Sequence, residues 1–285
     1  MDAKIEQLKS NLAGIGGALV AFSAGVDSTF LLKVAHIVLG DRAVALTATS
    51  PTVPPGELDA AKAFAHSLGC RHLIIDSHEM QNPSFSKNPA NRCFFCKEEL
   101  YRICQNEARR LDINSIIDGT NLDDLKDHRP GLQAAAAFGV RHPLVEAEMT
   151  KSDIRRFSRE LGLPTWDKPS SPCLSSRFPY GTEITLTKLQ KVGACEAFLK
   201  ELGFREFRVR YHDDLARIEV MPSDFDKLLE KDTREAVVRR FKQVGFNYVS
   251  LDLQGFRSGS LNEALAAQTR VSSQTETPNP KPETE

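Results

Sequence analysis

No stretch of this chain approaches the roughly 20 apolar residues that a membrane-spanning helix needs. The first residues, Met1-Asp2-Ala3-Lys4, lack the charged-then-apolar layout of a secretory signal. They open an amphipathic helix instead, with Ile5, Leu8 and Leu12 on one face. A cytoplasmic protein with no membrane partner is expected. Basic charge is not in excess: the formal net charge is −1, which counts against a large nucleic-acid footprint. Cysteine is too sparse for a disulfide scaffold, with six residues in 285, so thiol chemistry or a metal is the expected use. The chain has no Gly-x-x-x-x-Gly-Lys-Ser/Thr loop, which excludes γ-phosphate transfer of the usual kind. No internal repeat occurs, and no second Cys-x-x-Cys or His pair completes a closed zinc site.

The length suits about two domains, each with its own core. Apolar β runs at 17–22, 43–48, 71–75 and 114–118 alternate with helix-period segments at 26–39, 56–68 and 94–110. Such alternation predicts βαβ units and a parallel sheet, with ligand sites at the C-terminal strand ends. After a helix over 150–161, the stretch Asp167-Lys168-Pro169-Ser170-Ser171-Pro172 reads as a linker or active-site loop. A helix over 186–202, alternating strands at 207–211 and 216–220, two short helices and a strand near 246–251 predict a smaller α+β domain. The expected fold class is therefore α/β: a parallel-sheet domain over 1–168 and a C-terminal α+β domain over 169–263. Residues 264–285, rich in Thr, Ser, Pro and Glu, are expected to be disordered.

The apolar run Ala18-Leu19-Val20-Ala21-Phe22 leads directly into Ser23-Ala24-Gly25-Val26-Asp27-Ser28 and then a helix. A strand, a small-residue turn and a helix N-terminus together form an anion-binding arrangement. Gly25 allows close backbone approach, and the Ser23 and Ser28 hydroxyls can donate to phosphate oxygens. The segment resembles the Ser-x-Gly-x-Asp-Ser signature of the PP-loop ATP pyrophosphatases. That resemblance implies an adenine-nucleotide α-hydrolase-like fold, in which the loop grips β,γ-pyrophosphate as a leaving group. Asp118-Gly119-Thr120-Asn121-Leu122-Asp123-Asp124 ends the fourth strand run. There Gly119, Asn121 and Asp124 can border the nucleotide and carboxylates can hold Mg²⁺, or the turn simply caps the next helix. Thr47 and Ser50, after the second strand, are candidates for the adenine side.

Cys70, Cys104 and Cys195 read as buried core thiols. Cys93 and Cys96, just before a helix, form a Cys-x-x-Cys pair that can share a metal or cluster or act as a redox couple. Cys173 is the remaining loop cysteine, and two plus one suits a [4Fe–4S] cluster with one iron open. The alternative is a fortuitous pair of idle thiols. Strand alternation puts Arg208 and Arg210 on one face, as a phosphate clamp or as a solvated sheet face, with Arg217 and Glu219 on the neighbouring strand.

Taken together, SAGVDS, NRCFFCK, DGTNLDD, PCLSSRFPYG, FRVRYH, ARIEV and LDLQGFRSGS resemble the LarE family, over about 14–263. That family makes the nickel-pincer cofactor of lactate racemase. The resemblance implies that MgATP adenylates the carboxylates of pyridinium-3,5-biscarboxylic acid mononucleotide and that sulfur replaces oxygen. It assigns Ser23, Gly25, Val26, Asp27 and Ser28 to pyrophosphate, and Arg208, Arg210 and Glu219 to the mononucleotide and catalytic pocket. Ser176 and Arg177 adjoin Cys173 as catalytic residues. Some members sacrifice the cysteine matching Cys173, whereas others hold a [4Fe–4S] cluster on three cysteines; this chain has all three. The implied partners are the mononucleotide substrate, a downstream nickel-inserting enzyme and further copies of the chain in a homo-oligomer. Competing expectations are a PP-loop tRNA thiolase, an amidotransferase-type ligase and a non-catalytic nucleotide-binding module.

Overall fold

The computed structural model describes residues 2–126, 130–257 and 259–263. The expected disordered tail, 264–285, lies outside the described residues, as does Ser258. The chain divides into two compact units, Met1–Ala197 and Phe198–Glu285.

In the first unit β1 (Ala18–Ala21), β2 (Ala43–Thr49), β3 (His72–Asp76) and β4 (Ile116–Asp118) form a wholly parallel sheet in the order β3-β2-β1-β4. The helices are α1 (Ala3–Ala13), α2 (Val26–Leu39), α3 (Glu57–Leu68), α4 (Pro83–Ser86), α5 (Arg92–Arg110), α6 (Pro130–Ala137), α7 (Pro143–Glu146), α8 (Lys151–Glu160) and α9 (Leu186–Glu201). Strand periodicity sorts the core. Ala18, Val20, Ala43, Ala45 and Ile117 join Leu8, Phe30, Leu31, Ile154 and Phe157 of α1, α2 and α8. The alternate residues Leu19, Ala21, Val44, Leu46 and Ile116 pack with Tyr101, Cys104, Ala134 and Ala135 of α5 and α6. Each fully buried leucine or phenylalanine contributes about 1.5–3 kcal/mol, so two apolar faces hold the sheet between helix layers.

β1 is buried throughout because it lies between β2 and β4, which explains why its sequence is continuously apolar. The chain leaves β1 toward β2 on one side, while β4 pairs on the other. The crevice beyond the carboxyl ends of β1 and β4 is thus the topological switch point where such sheets bind ligands. No helix among the described residues is long and apolar enough to cross a membrane.

The second unit carries β5 (Phe207–His212), β6 (Leu215–Val220) and β7 (Tyr248–Leu251), with α10 (Phe225–Leu229) and α11 (Lys231–Val244). β5 and β6 form an antiparallel hairpin, and β7 lies parallel to β6 after the helical crossover. Tyr211 and Phe246 meet edge to face at 5.8 Å in its core. The α/β class with a smaller α+β part is as expected.

Two local expectations differ from the structure. The division between units falls at 197/198, within α9, rather than at 168/169. Leu174 N donates to Thr52 O at 2.8 Å, Gly181 N to Asn88 O at 2.8 Å and Ile184 N to Ser86 O at 2.8 Å, so the chain just after the expected linker or active-site loop is hydrogen-bonded into the first unit. Helix α5 also begins earlier than expected, at Arg92, placing Cys93 and Cys96 inside its first turns. Arg92 is buried and bonds Asn88 and the Ser175 carbonyl, which orders the helix start.

Candidate active site

Beyond β1 the chain turns through residues 22–25 into α2. Ala24, not a glycine, takes the left-handed φ of 55° that makes the turn. Gly25 has φ −77° and is the N-cap of α2, bringing no side chain to its open N–H groups. A Cβ at Gly25 would lie 3.4 Å from Ser23 Oγ, so the glycine keeps the rim beside that hydroxyl clear. Ser23 and Ser28 approach to 3.1 Å through their hydroxyls, and Ser28 Oγ accepts from Ser23 N at 3.3 Å. Val26 is buried in the core and anchors the first turn. The result is a concave set of donors at the positive end of a 14-residue helix.

The turn after β4 closes the other side of the switch point. A Cβ on Gly119 would lie 2.8 Å from Ser28 N and 3.1 Å from Ser28 Cα, so only glycine lets the two turns touch. Gly119→Ala is therefore expected to push the turns apart, at a cost of about 1–3 kcal/mol. Nucleotide affinity should fall at least tenfold by calorimetry; wild-type affinity would show that the turns separate without consequence. Asn121, buried, donates to Asp27 Oδ1 at 3.4 Å, and Lys151 of α8 pairs with Asp27 Oδ2 at 2.5 Å. Asp124 accepts from Asn121 N at 3.0 Å, and Asp123 from Lys151 N at 2.9 Å. The turn thus serves its own capping and reaches the phosphate loop at once.

Asp118, read from the sequence only as one of the carboxylates of its motif, organises this region. Its buried carboxylate accepts from His142 Nδ1 at 2.8 Å and Tyr101 OH at 2.6 Å, with Lys97 Nζ at 4.0 Å. Burial alone would raise its pKa; the His142 hydrogen bond, the Lys97 charge and the Tyr101 hydroxyl overcome that and hold it well below the usual carboxylate range. Thr47 is buried with its hydroxyl donating to Phe22 O at 2.8 Å and lying 2.8 Å from His72 Nε2, so it ties the phosphate loop to β2. Ser50 donates to Glu79, which also accepts from Thr52 and Ser77. Glu79, 3% exposed, was missed because its partners come from two strand ends far apart in sequence. A cluster of Ser and Thr at both ends was the available signal.

Cys93 and Cys96, three residues apart on the first turns of α5, share a face. Cys173 lies in the loop before the short turn Leu174–Arg177. Burial pushes the Cys96 thiol far up, with the charge of Cys173 and then of Glu79 adding to it. Desolvation and then Cys173 push Cys93 in the same direction. Among the described residues no group of three or more His, Cys, Asp or Glu is placed so that it could hold a metal ion.

Arg177 fixes the Cys173 backbone. Its guanidinium, 2% exposed, pairs twice with Glu196 at 2.8 Å and donates to Pro172 O at 2.9 Å and Cys173 O at 3.3 Å. Ser176 Oγ donates to Cys173 O at 2.8 Å and accepts from Arg177 at 2.7 Å. Both residues hold the cysteine loop from beneath.

In the second unit, Arg208 and Arg210 share a strand face but are not solvated, being 8% and 6% exposed. Arg210 pairs with the fully buried Glu219 at 2.9 and 2.8 Å and donates to Ser260 Oγ at 2.7 Å. Arg208 lies over the Phe256 ring at 4.8 Å. Arg217 bridges Glu219 at 3.2 Å and Asp252 at 3.1 Å. Glu219 thus holds both Arg210 and Arg217, and Asp252 holds Arg217 from its other side.

No family model matches the chain. Against curated proteins it is 48% identical over 265 residues to an uncharacterised protein of Synechocystis sp., covering 93% of this chain and 99% of the relative. It is 38% identical over 247 residues to pyridinium-3,5-bisthiocarboxylic acid mononucleotide synthase of Lactiplantibacillus plantarum, covering 86% of this chain and 89% of the relative. One of the subunits of the glutamine-hydrolysing GMP synthase of Methanocella arvoryzae is 27% identical over 228 residues, 73% of this chain and 71% of the relative. With a phosphate loop at the switch point of a parallel sheet and a full-length match of this kind, the chain belongs to the pyridinium-3,5-bisthiocarboxylic acid mononucleotide synthase (LarE) family of PP-loop proteins.

Proposed function

We propose that the chain is an ATP-dependent sulfurtransferase that converts the carboxylates of pyridinium-3,5-biscarboxylic acid mononucleotide to thiocarboxylates. The observation that carries this reading is one compact unit holding both the lysine-free phosphate loop and Cys93, Cys96 and Cys173. A carboxylate oxygen of the substrate attacks the α-phosphorus of MgATP, and the bond to pyrophosphate breaks. Ser23, Ser28 and the N–H groups of α2 hold the departing pyrophosphate, and Asp27 would hold the Mg²⁺ that accompanies it. The acyl adenylate is then open to a sulfur nucleophile, which adds to the carbonyl carbon and expels AMP.

Cys93, Cys96 and Cys173 would hold a [4Fe–4S] cluster, and the support is the Cys-x-x-Cys pair on the first turns of α5 together with the Arg92 hydrogen bond that ties this helix to the Ser175 carbonyl, two residues beyond Cys173. Such a cluster, when bound, supplies an open iron that carries sulfide. Arg177 and Ser176 position Cys173. Arg208 and Arg210 bind the substrate phosphate, with Glu219 orienting Arg210, because a charge-assisted pair on a rigid strand suits that group. Thr47, Ser50, Gly119, Asn121 and Asp124 border the nucleotide. The product passes to a nickel-inserting enzyme, and the protein works in the cytoplasm as a homo-oligomer.

The test is product analysis with ATP and the mononucleotide under anaerobic conditions with sulfide. AMP and pyrophosphate are expected in equal amounts, with no ADP. ADP and inorganic phosphate would overturn the adenylation step. Asp27→Ala is expected to abolish pyrophosphate release.

A further inference from the structure

We infer that Lys168 supplies the cation of the pyrophosphate subsite and that Glu57 positions it there. The inference rests on the adenylating reading above and adds a residue that the loop motif does not contain. Residues 22–28 carry no basic side chain, and the next lysine, Lys33, lies well inside α2. The structure brings one in from far along the chain. Lys168 Nζ donates to Ala24 O, the residue that turns the phosphate loop, at 3.0 Å, and to Glu57 Oε2 at 2.7 Å. Glu57 opens α3 and is itself well sheltered, with the pair 22% and 14% exposed.

The presentation of Lys168 is built rather than incidental. Arg155 of α8 donates to the carbonyls of Trp166 at 2.7 Å and Lys168 at 2.9 Å, and Lys168 N bonds Thr165 O at 3.0 Å. Pro169 follows and restricts the Lys168 backbone to extended conformations. An ammonium has three N–H donors, and the two partners found among the described residues use two of them. The third is left for a phosphate oxygen beside Ala24. Negative charge builds on the β,γ-phosphates as the bond to the α-phosphorus breaks, so a fixed cation there favours departure. Glu57 does not touch the phosphates; it holds the ammonium on the loop.

The test compares ATP, inorganic pyrophosphate and AMP by calorimetry on the full chain with Mg²⁺. Lys168→Met is expected to weaken ATP and pyrophosphate about 10- to 100-fold, the range of one charge-assisted contact, and to leave AMP within about twofold. A lysine that merely ties the 165–169 turn to the loop would weaken all three alike, and that result overturns the inference, as does unchanged pyrophosphate affinity. Emission of Trp166, the single tryptophan, reports whether the variant keeps its local fold. A second measurement needs no variant: acetylation of Lys168 in the wild-type protein, read by mass spectrometry. Pyrophosphate is expected to slow it several-fold and AMP to leave it unchanged; equal labelling with and without pyrophosphate overturns the inference. Wild-type protein that binds neither ATP nor pyrophosphate would overturn the adenylating reading as well, which separates the two failures.

Discussion

Arg177→Ala is expected to destabilise the folded chain by about 3–5 kcal/mol and to release the Cys173 loop. Removing Arg177 takes from the buried Glu196 carboxylate the guanidinium that binds both of its oxygens, and breaking a buried ion pair costs far more than breaking a surface one. The Pro172 carbonyl loses the Arg177 donor in the same step, and the Cys173 carbonyl keeps only the donors of Ser176. Urea denaturation measures the stability loss. A loss below about 1 kcal/mol, the scale of an exposed pair, would mean that water reaches Glu196 and that the loop is held by other contacts. Arg177→Lys keeps the charge but not the planar fork, so it should recover only part of the stability. Because the pair sits under the cysteine loop, thiocarboxylate formation should fall with loop order, while binding of ATP changes little.

The second large effect concerns the thiols. Cys93→Ala, Cys96→Ala and Cys173→Ala are each expected to abolish repeated turnover and to lose cluster absorbance together with iron and sulfide content after anaerobic reconstitution. All three thiols are needed because the open iron of a site-differentiated cluster leaves three positions for protein ligands. Sacrifice of Cys173 alone makes a different set of predictions. The protein would lose the mass of one H₂S, react once and contain no cluster, and Cys93→Ala would retain that single turnover. Intact mass after reaction distinguishes the two outcomes, and the second would overturn the cluster assignment.

Local sequence was most informative where chemistry and backbone geometry share a short segment. The turn at 23–28 was legible because an apolar strand, small residues and a helix adjoin in sequence. The four sheet strands were legible from their apolar runs. The beginning of α5 was not, since Arg92 is drawn into the helix by Asn88 and by the Ser175 carbonyl from far along the chain. Glu79 and the role of Asp118 were missed for the same reason: a buried carboxylate is recognised by its donors, and those come from separate elements. Alternation placed Arg208 and Arg210 on one face correctly but did not show that this face is covered or that Glu219 binds Arg210.

The sequence by itself determined the parallel α/β class, the phosphate loop and the three candidate cysteines, because strand period, turn chemistry and residue type are local properties. Only the tertiary structure decided which residues surround them. It brought Gly119 against Ser28, Lys168 onto Ala24 and Arg177 beneath Cys173, and it carried the segment around Cys173 into the first unit. The contacts of Gly119 with Ser28 and of Lys168 with Ala24 join positions far apart in the chain, and they are set by how two strand ends meet at a switch point and by which charges find partners. A sequence pattern contains neither distance.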